Sequence, residues 1–130
     1  MALSGAEIVV LLTPLTAATR DLMNAETLGW MRDGAVLVNP GRGALIDDAA
    51  LLAELPRLGH ATLDTFRIEP LPADDPYWSH PKVTVTPHIA SATRPATAAQ
   101  VVAENIRRGE AGEPLLHLVD RREALDARDP

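Results

Sequence analysis

The stretch "VLVNPGRGALIDDAALLAEL", residues 36–55, decides how the rest of the chain is read. An apolar, β-rich run ends at Asn39, and Pro40, Gly41 and Gly43 then break the chain. From Asp47 onward Leu51, Leu52 and Leu55 recur at helical spacing behind two aspartates suited to capping a helix. The segment is a strand, a tight turn and a helix, and the turn holds a long cation, Arg42.

The same unit recurs along the chain. "EIVVLL" (7–12), "AVLVN" (35–39), "ATLDT" (61–65) and "VTVT" (83–86) are short β-rich runs followed by turn residues. Between and after them lie helix candidates at 25–31, behind an Asn24 cap, at 47–55, and at 95–108, where Pro95 suits a first helical position. Strands alternating with helices at this spacing predict βαβ units, a four-stranded parallel sheet and right-handed crossovers, an α/β fold. The segment 69–81, with Pro70, Pro72, Pro76 and Pro81 and the paired Asp74 and Asp75, reads as a surface loop pinned by Tyr77 and Trp78.

Composition excludes several function classes. A chain of 130 residues with 46% apolar content can bury one ordinary core. A net charge of −6 and a single lysine argue against nucleic acid or an anionic membrane as partner, since either requires clustered cations. Without cysteine there are no disulfides, no thiolate chemistry and no ordinary zinc site. His60, His80 and His117 lack metal-ligand spacing, so no metal is expected. The run Ile8–Leu12 is too short to span a bilayer, and the N-terminus carries no secretory leader, so a cytoplasmic location is expected.

In open parallel sheets ligands sit beyond the carboxyl ends of the strands, where loops and helix N-termini converge. Arg42 follows the second strand run, Asp64 and Glu69 lie at and beyond the end of the third, and His88 stands two residues past the fourth. Parallel strands gather these groups along one edge, with Arg42 where an anionic ligand would arrive. Two of them have a plain structural reading, Arg42 paired with Asp47 or Asp48 and Glu69 as solvated loop charge; at His88 the Thr86–Pro87 step stiffens the exit from a buried strand and aims a titratable ring outward. Asp64, interrupting an apolar strand, is either a cap on the next turn or a buried acceptor with a partner. "GRGALI" is not a dinucleotide-loop fingerprint, because Ile46 stands where G-x-G-x-x-G requires its third glycine.

"LLTPLTAATRDLMN", "VLVNPGRGALID", "LDTFRIEPLPADDPYW" and "VTVTPHIASAT" together resemble, in order and separation, the D-isomer-specific 2-hydroxyacid dehydrogenases, and within them the glyoxylate and hydroxypyruvate reductases. The resemblance implies the second half of a doubly wound, Rossmann-like NAD(P)-binding domain. It places this half in residues 1–93, followed by a helix and tail at 94–130 that return toward a substrate domain. It implies Arg42, Glu69 and His88 as the catalytic trio, and Pro14, Thr19, Asn39, Pro40, Gly41, Arg42, Asp64, His88, Ala90 and Ser91 as the cofactor's neighbours. NADPH or NADH is the implied cofactor, with NADP preferred, and a small 2-oxo acid the substrate; the complete enzyme is expected to be a homodimer. Two departures stand out: Thr65 occupies a position where the family commonly has Val, and Arg67 one where an acid is frequent. Because the glycine-rich loop is missing from these residues, Met1 is expected to open a C-terminal portion that is inactive alone. A non-catalytic interaction module pairing through an exposed sheet edge is the alternative.

Overall fold

The computed structural model describes residues 2–119; the end of the expected C-terminal tail lies outside the described residues, as does Met1. The chain divides into two compact units, Met1–Ala90 and Ser91–Pro130. The first unit begins with a short helix, α1 (Ala2–Gly5), and contains strands β1 (Ile8–Val10), β2 (Val36–Asn39), β3 (His60–Leu63) and β4 (Val83–Val85). The strands form one sheet in the order β1-β2-β3-β4, every pair parallel. This is the α/β, Rossmann-like arrangement expected, with each strand shorter than its apolar run.

Helix α2 (Ala25–Gly29) connects β1 to β2, and α3 (Asp48–Glu54) connects β2 to β3. Asn24 caps α2 through a capping box with Thr27, and Asp47 caps α3 by accepting from the Ala50 amide at 3.2 Å. Each crossover steps to the next strand in the same direction, so right-handed connections put both helices on one face of the sheet. The burial pattern agrees. Leu37, Ala61 and Leu63 are buried against Leu28, Met31, Leu51 and Leu55, whereas Ile8 and Val10 on the opposite face of β1 are 62% and 48% exposed. Each fully buried leucine contributes roughly 1.5–3 kcal/mol, which makes this helix-covered side the source of the unit's stability.

At the amino ends of the strands two cations close the helix C-termini. Arg57 donates to the carbonyls of Leu28 and Met31, and Lys82 Nζ donates to those of Leu55 (3.1 Å), Pro56 (2.7 Å) and Leu58 (2.8 Å). The carboxyl ends carry the loops with the candidate site. The loop after β3 contains a 3-10 turn, Pro76–Trp78. Both expected rings pin the loop: Tyr77 is buried and its hydroxyl donates to Asp48 at 2.9 Å, while Trp78, 54% exposed, donates from Nε1 to the Pro72 carbonyl at 2.8 Å.

The second unit contains α4 (Pro95–Ala111), started by a proline in its first turn and ended by Gly112 in the left-handed conformation, φ 68°. None of its residues is buried, and among the described residues the hydrophobic core lies in the first unit. No helix among the described residues is long and apolar enough to cross a membrane.

Candidate functional site

The turn after β2 is built by one side chain. Asn39, buried at the end of the strand, donates from Nδ2 to the Arg42 carbonyl at 2.9 Å and accepts the Gly41 amide on Oδ1 at 3.1 Å. This closes Asn39–Arg42 and turns Arg42 outward. Its guanidinium donates only to the Gly41 carbonyl, at 2.8 Å, and among the described residues it forms no ion pair. The carboxylates that might have neutralised it are engaged elsewhere: Asp47 caps α3, and Asp48 receives Tyr77 and faces Arg67 at 3.4 Å. Gly43 follows, and here glycine is required by contact. A Cβ would lie 2.0 Å from the carbonyl carbon of Phe66 and 2.5 Å from the Arg67 nitrogen, so the Arg42 turn lies directly on the loop that leads to Glu69.

Asp64, at the end of β3, is the buried acceptor of the two alternatives. Oδ1 accepts the Thr86 hydroxyl and the Ile89 amide (2.9 Å), and Oδ2 accepts the Ala90 amide at 2.8 Å. Burial is the largest influence on this carboxyl and pushes its pKa up. The Thr86 hydroxyl, the two amides and the charge of His88 together outweigh it and hold the group below the ordinary aspartate range. Oδ2 keeps acceptor capacity for a further donor. The Asp64 carbonyl receives the His88 amide at 2.9 Å, which ties the β3 and β4 exits together.

His88 has φ 54°, a left-handed conformation that is uncommon for residues other than glycine but that asparagine, aspartate and histidine adopt more often than the rest. Its Nδ1 lies 2.8 Å from Glu69 Oε2, and Glu69 Oε1 accepts the Phe66 amide at 2.9 Å. An ionised carboxylate can only accept, so Nδ1 carries the proton and Nε2 is left to face outward. The bond from His88 is the main reason the Glu69 carboxyl lies below its usual range; burial opposes this, while the Phe66 amide and the charges of His88 and Arg42 add to it. The pair is accessible: the His88 side chain is 50% exposed and that of Glu69 37%.

Beside the pair opens a cavity of about 450 Å³ whose walls are mostly apolar: Phe66, Pro70, Leu71, Trp78, Val85 and Pro87, with Glu69 and His88 as the polar members. The sequence reading did not anticipate this wall. The signal available was the combination of prolines with Leu71 and Trp78 in a loop otherwise read as solvated. Of the other residues singled out, Pro14 and Thr19 share a loop closed by the Thr19 hydroxyl, which donates to the Pro14 carbonyl at 2.7 Å. The Asn39–Gly41 turn runs beside the start of that segment, since a Cβ on Gly41 would come 2.9 Å from the Leu11 carbonyl oxygen. Ala90 lies on Asp64, whereas exposed Ser91 is the first residue of the second unit.

The family model described as "D-isomer specific 2-hydroxyacid dehydrogenase, NAD binding domain" matches residues 1–90. The chain belongs to this family. Glyoxylate/hydroxypyruvate reductase A of Salmonella newport (strain SL254) is 43% identical to this dehydrogenase-family chain over 121 residues, which are 92% of the chain and 39% of that relative. The D-isomer specific 2-hydroxyacid dehydrogenase from Xanthobacter autotrophicus Py2, solved in complex with NADPH and MES, superposes with a TM-score of 0.87 at 52% identity, covering 92% of this chain and 50% of that one. The NADPH-dependent glyoxylate/hydroxypyruvate reductase from Sinorhizobium meliloti, in complex with NADP and sulfate, gives 0.84 at 36% identity, covering 93% and 40%. The chain thus spans about two fifths of the length of the curated relatives it matches.

Proposed function

We propose that residues 1–93 serve as the catalytic half of the cofactor domain of an NAD(P)-dependent dehydrogenase that reduces a small 2-oxo acid of the glyoxylate and hydroxypyruvate class. Residues 94–130 then serve as the helix and tail that return to a substrate domain. The observation that carries this reading is the 2.8 Å contact of His88 Nδ1 with Glu69, beside an arginine without a carboxylate partner among the described residues.

The chemistry follows from these atoms. Reduction of a 2-oxo acid places a hydride on the carbonyl carbon and a proton on its oxygen. The cofactor, when bound, supplies the hydride. Glu69 stabilises the imidazolium of His88 and fixes its orientation, so Nε2–H is presented to the developing alkoxide. Arg42 offers forked donors to the substrate carboxylate, a geometry a lysine does not reproduce. Asp64 fits a nicotinamide end, because Oδ2 accepts a single bond from the protein and can take a carboxamide N–H. A preference for NADP over NAD is supported by the relatives solved with NADPH and NADP.

These 130 residues contain no glycine-rich pyrophosphate loop. As an isolated polypeptide they bind NADPH and NADH weakly, show no turnover, and self-associate through the exposed side of β1; the assembled dehydrogenase is a homodimer in the cytoplasm. The test is a fluorescence titration with both cofactors, an assay with glyoxylate and hydroxypyruvate, and sizing by light scattering. A monodisperse monomer with micromolar cofactor affinity and steady turnover refutes dependence on further sequence. In the assembled enzyme, a His88→Ala variant that retains wild-type turnover refutes the acid role itself.

A further inference from the structure

Arg67 stands two residues before Glu69 and has no part in the reaction just described. Its guanidinium nevertheless reaches three separate elements. Nε donates to the Ile46 carbonyl at 3.1 Å and lies 3.4 Å from Asp48 Oδ2, while Nη2 donates to Asp21 Oδ1 and again to Ile46. These partners belong to the turn that follows the Pro14–Thr19 loop, to the exit of the 3-10 turn Gly43–Leu45, and to the first turn of α3. Asp48 is itself held by the buried Tyr77. Only a third of the Arg67 side chain is exposed.

An isolated surface ion pair would be worth about 0–1 kcal/mol and would say little. The geometry here does more than pair charges. The Phe66 amide, one residue before Arg67, is the donor that holds Glu69 Oε1, while His88 holds Oε2. The backbone at Phe66–Arg67 is pressed from one side by Gly43, whose Cα hydrogens leave no room for a Cβ, and is drawn in by the Arg67 side chain over Ile46 and Asp48. We propose that Arg67 is a positioning residue: its grip on Asp21, Ile46 and Asp48 fixes the Phe66–Glu69 loop and, through the Phe66 amide, sets the Glu69 carboxylate against the ring of His88. The proposal rests on the reading of Glu69 and His88 as the acid–base couple.

The test is the titration of the Glu69 carboxyl, followed by carbon NMR in the 130-residue chain, with a thermal melt of every variant. His88→Gln is the reference; it removes the main cause of the low Glu69 value and raises the titration midpoint. Arg67→Met raises it by at least half as much. Arg67→Lys keeps the charge but not the fork, so it falls between Arg67→Met and the wild type. Asp21→Asn loosens one anchor and raises the midpoint by a smaller amount. Asparagine tolerates the φ of 52° at position 21, so this variant decides the question even where Arg67→Met does not fold. If Arg67→Met and Asp21→Asn lower the melting temperature and leave Glu69 unmoved, Arg67 is purely structural and the proposal is overturned. If His88→Gln also leaves Glu69 unmoved, the couple itself is wrong, and both readings fall.

Discussion

Replacing Gly43 by alanine adds one carbon where the backbone of another loop already lies. The new Cβ would be 2.0 Å from the Phe66 carbonyl carbon, 2.3 Å from its oxygen and 2.5 Å from the Arg67 nitrogen. Ordinary contact begins at 3.4 Å, so along the shortest line the two loops must separate by 3.4 − 2.0 = 1.4 Å. No flexible side chain can absorb this, because all three atoms are main chain. The expected loss of stability is about 3 kcal/mol, the upper part of the range for overpacking. The movement also carries the Phe66 amide away from Glu69, and misplacing reacting groups by about 1 Å can cost about 100-fold in rate. Gly59→Ala is the matched control: its Cβ would meet the Gly34 carbonyl oxygen at 2.3 Å, at the opposite end of the sheet. Urea unfolding followed by the fluorescence of Trp30 and Trp78 should show both variants destabilised. Turnover of the assembled enzyme should fall steeply only for Gly43→Ala. A Gly43→Ala protein within about 0.5 kcal/mol of wild type, with unchanged turnover, would refute the claim that this contact spaces the two loops.

Three further outcomes are expected. The Asp64 carboxyl is held below its unfolded value, so its stabilisation is complete above about pH 4 and is lost as pH falls through the depressed folded value. Asp64→Asn removes that acid dependence and costs about 2–4 kcal/mol at neutral pH, measurable by urea unfolding across a pH series. Among the described residues the buried Thr65 hydroxyl has no hydrogen-bond partner, so Thr65→Val should raise stability by about 1 kcal/mol in the same assay. Glu69→Gln removes the carboxylate that holds and orients the His88 ring at 2.8 Å, and turnover of the assembled enzyme should fall steeply; unchanged turnover would leave Glu69 as loop charge only.

The fold was legible because its strands are built from contiguous β-branched and apolar residues and its helices begin at local signals: Asn24 and Asp47 as caps and Pro95 as a first helical residue. The convergence of Arg42, Asp64, Glu69 and His88 on one edge follows from parallel topology alone, since each stands at or soon after the end of a strand. What was not legible depends on contacts between distant segments. Nothing near Arg67 in the chain indicates Asp21 or Ile46 as partners, and nothing near Gly43 indicates the Phe66 backbone. The short helix at Ala2–Gly5 and the two 3-10 turns were missed because so few residues carry no periodicity. The apolar cavity wall was missed because Phe66, Leu71 and Trp78 come from a loop whose prolines and aspartates dominate its composition. The choice between cap and buried acceptor at Asp64 likewise required its three donors to be seen.

The chain has a single lysine, and in the folded state its ammonium directs hydrogen bonds to three backbone carbonyls at the end of α3. Acylating reagents need a free lone pair on that nitrogen, and the same chemistry underlies reversible acetylation. The side chain therefore becomes a target only when the cap opens, by local or global unfolding. Lysine-directed labelling, scored apart from the N-terminal amine, would consequently report the opening of this one helix end, and a modifying enzyme would meet a partly exposed lysine whose nitrogen is already held by three carbonyls.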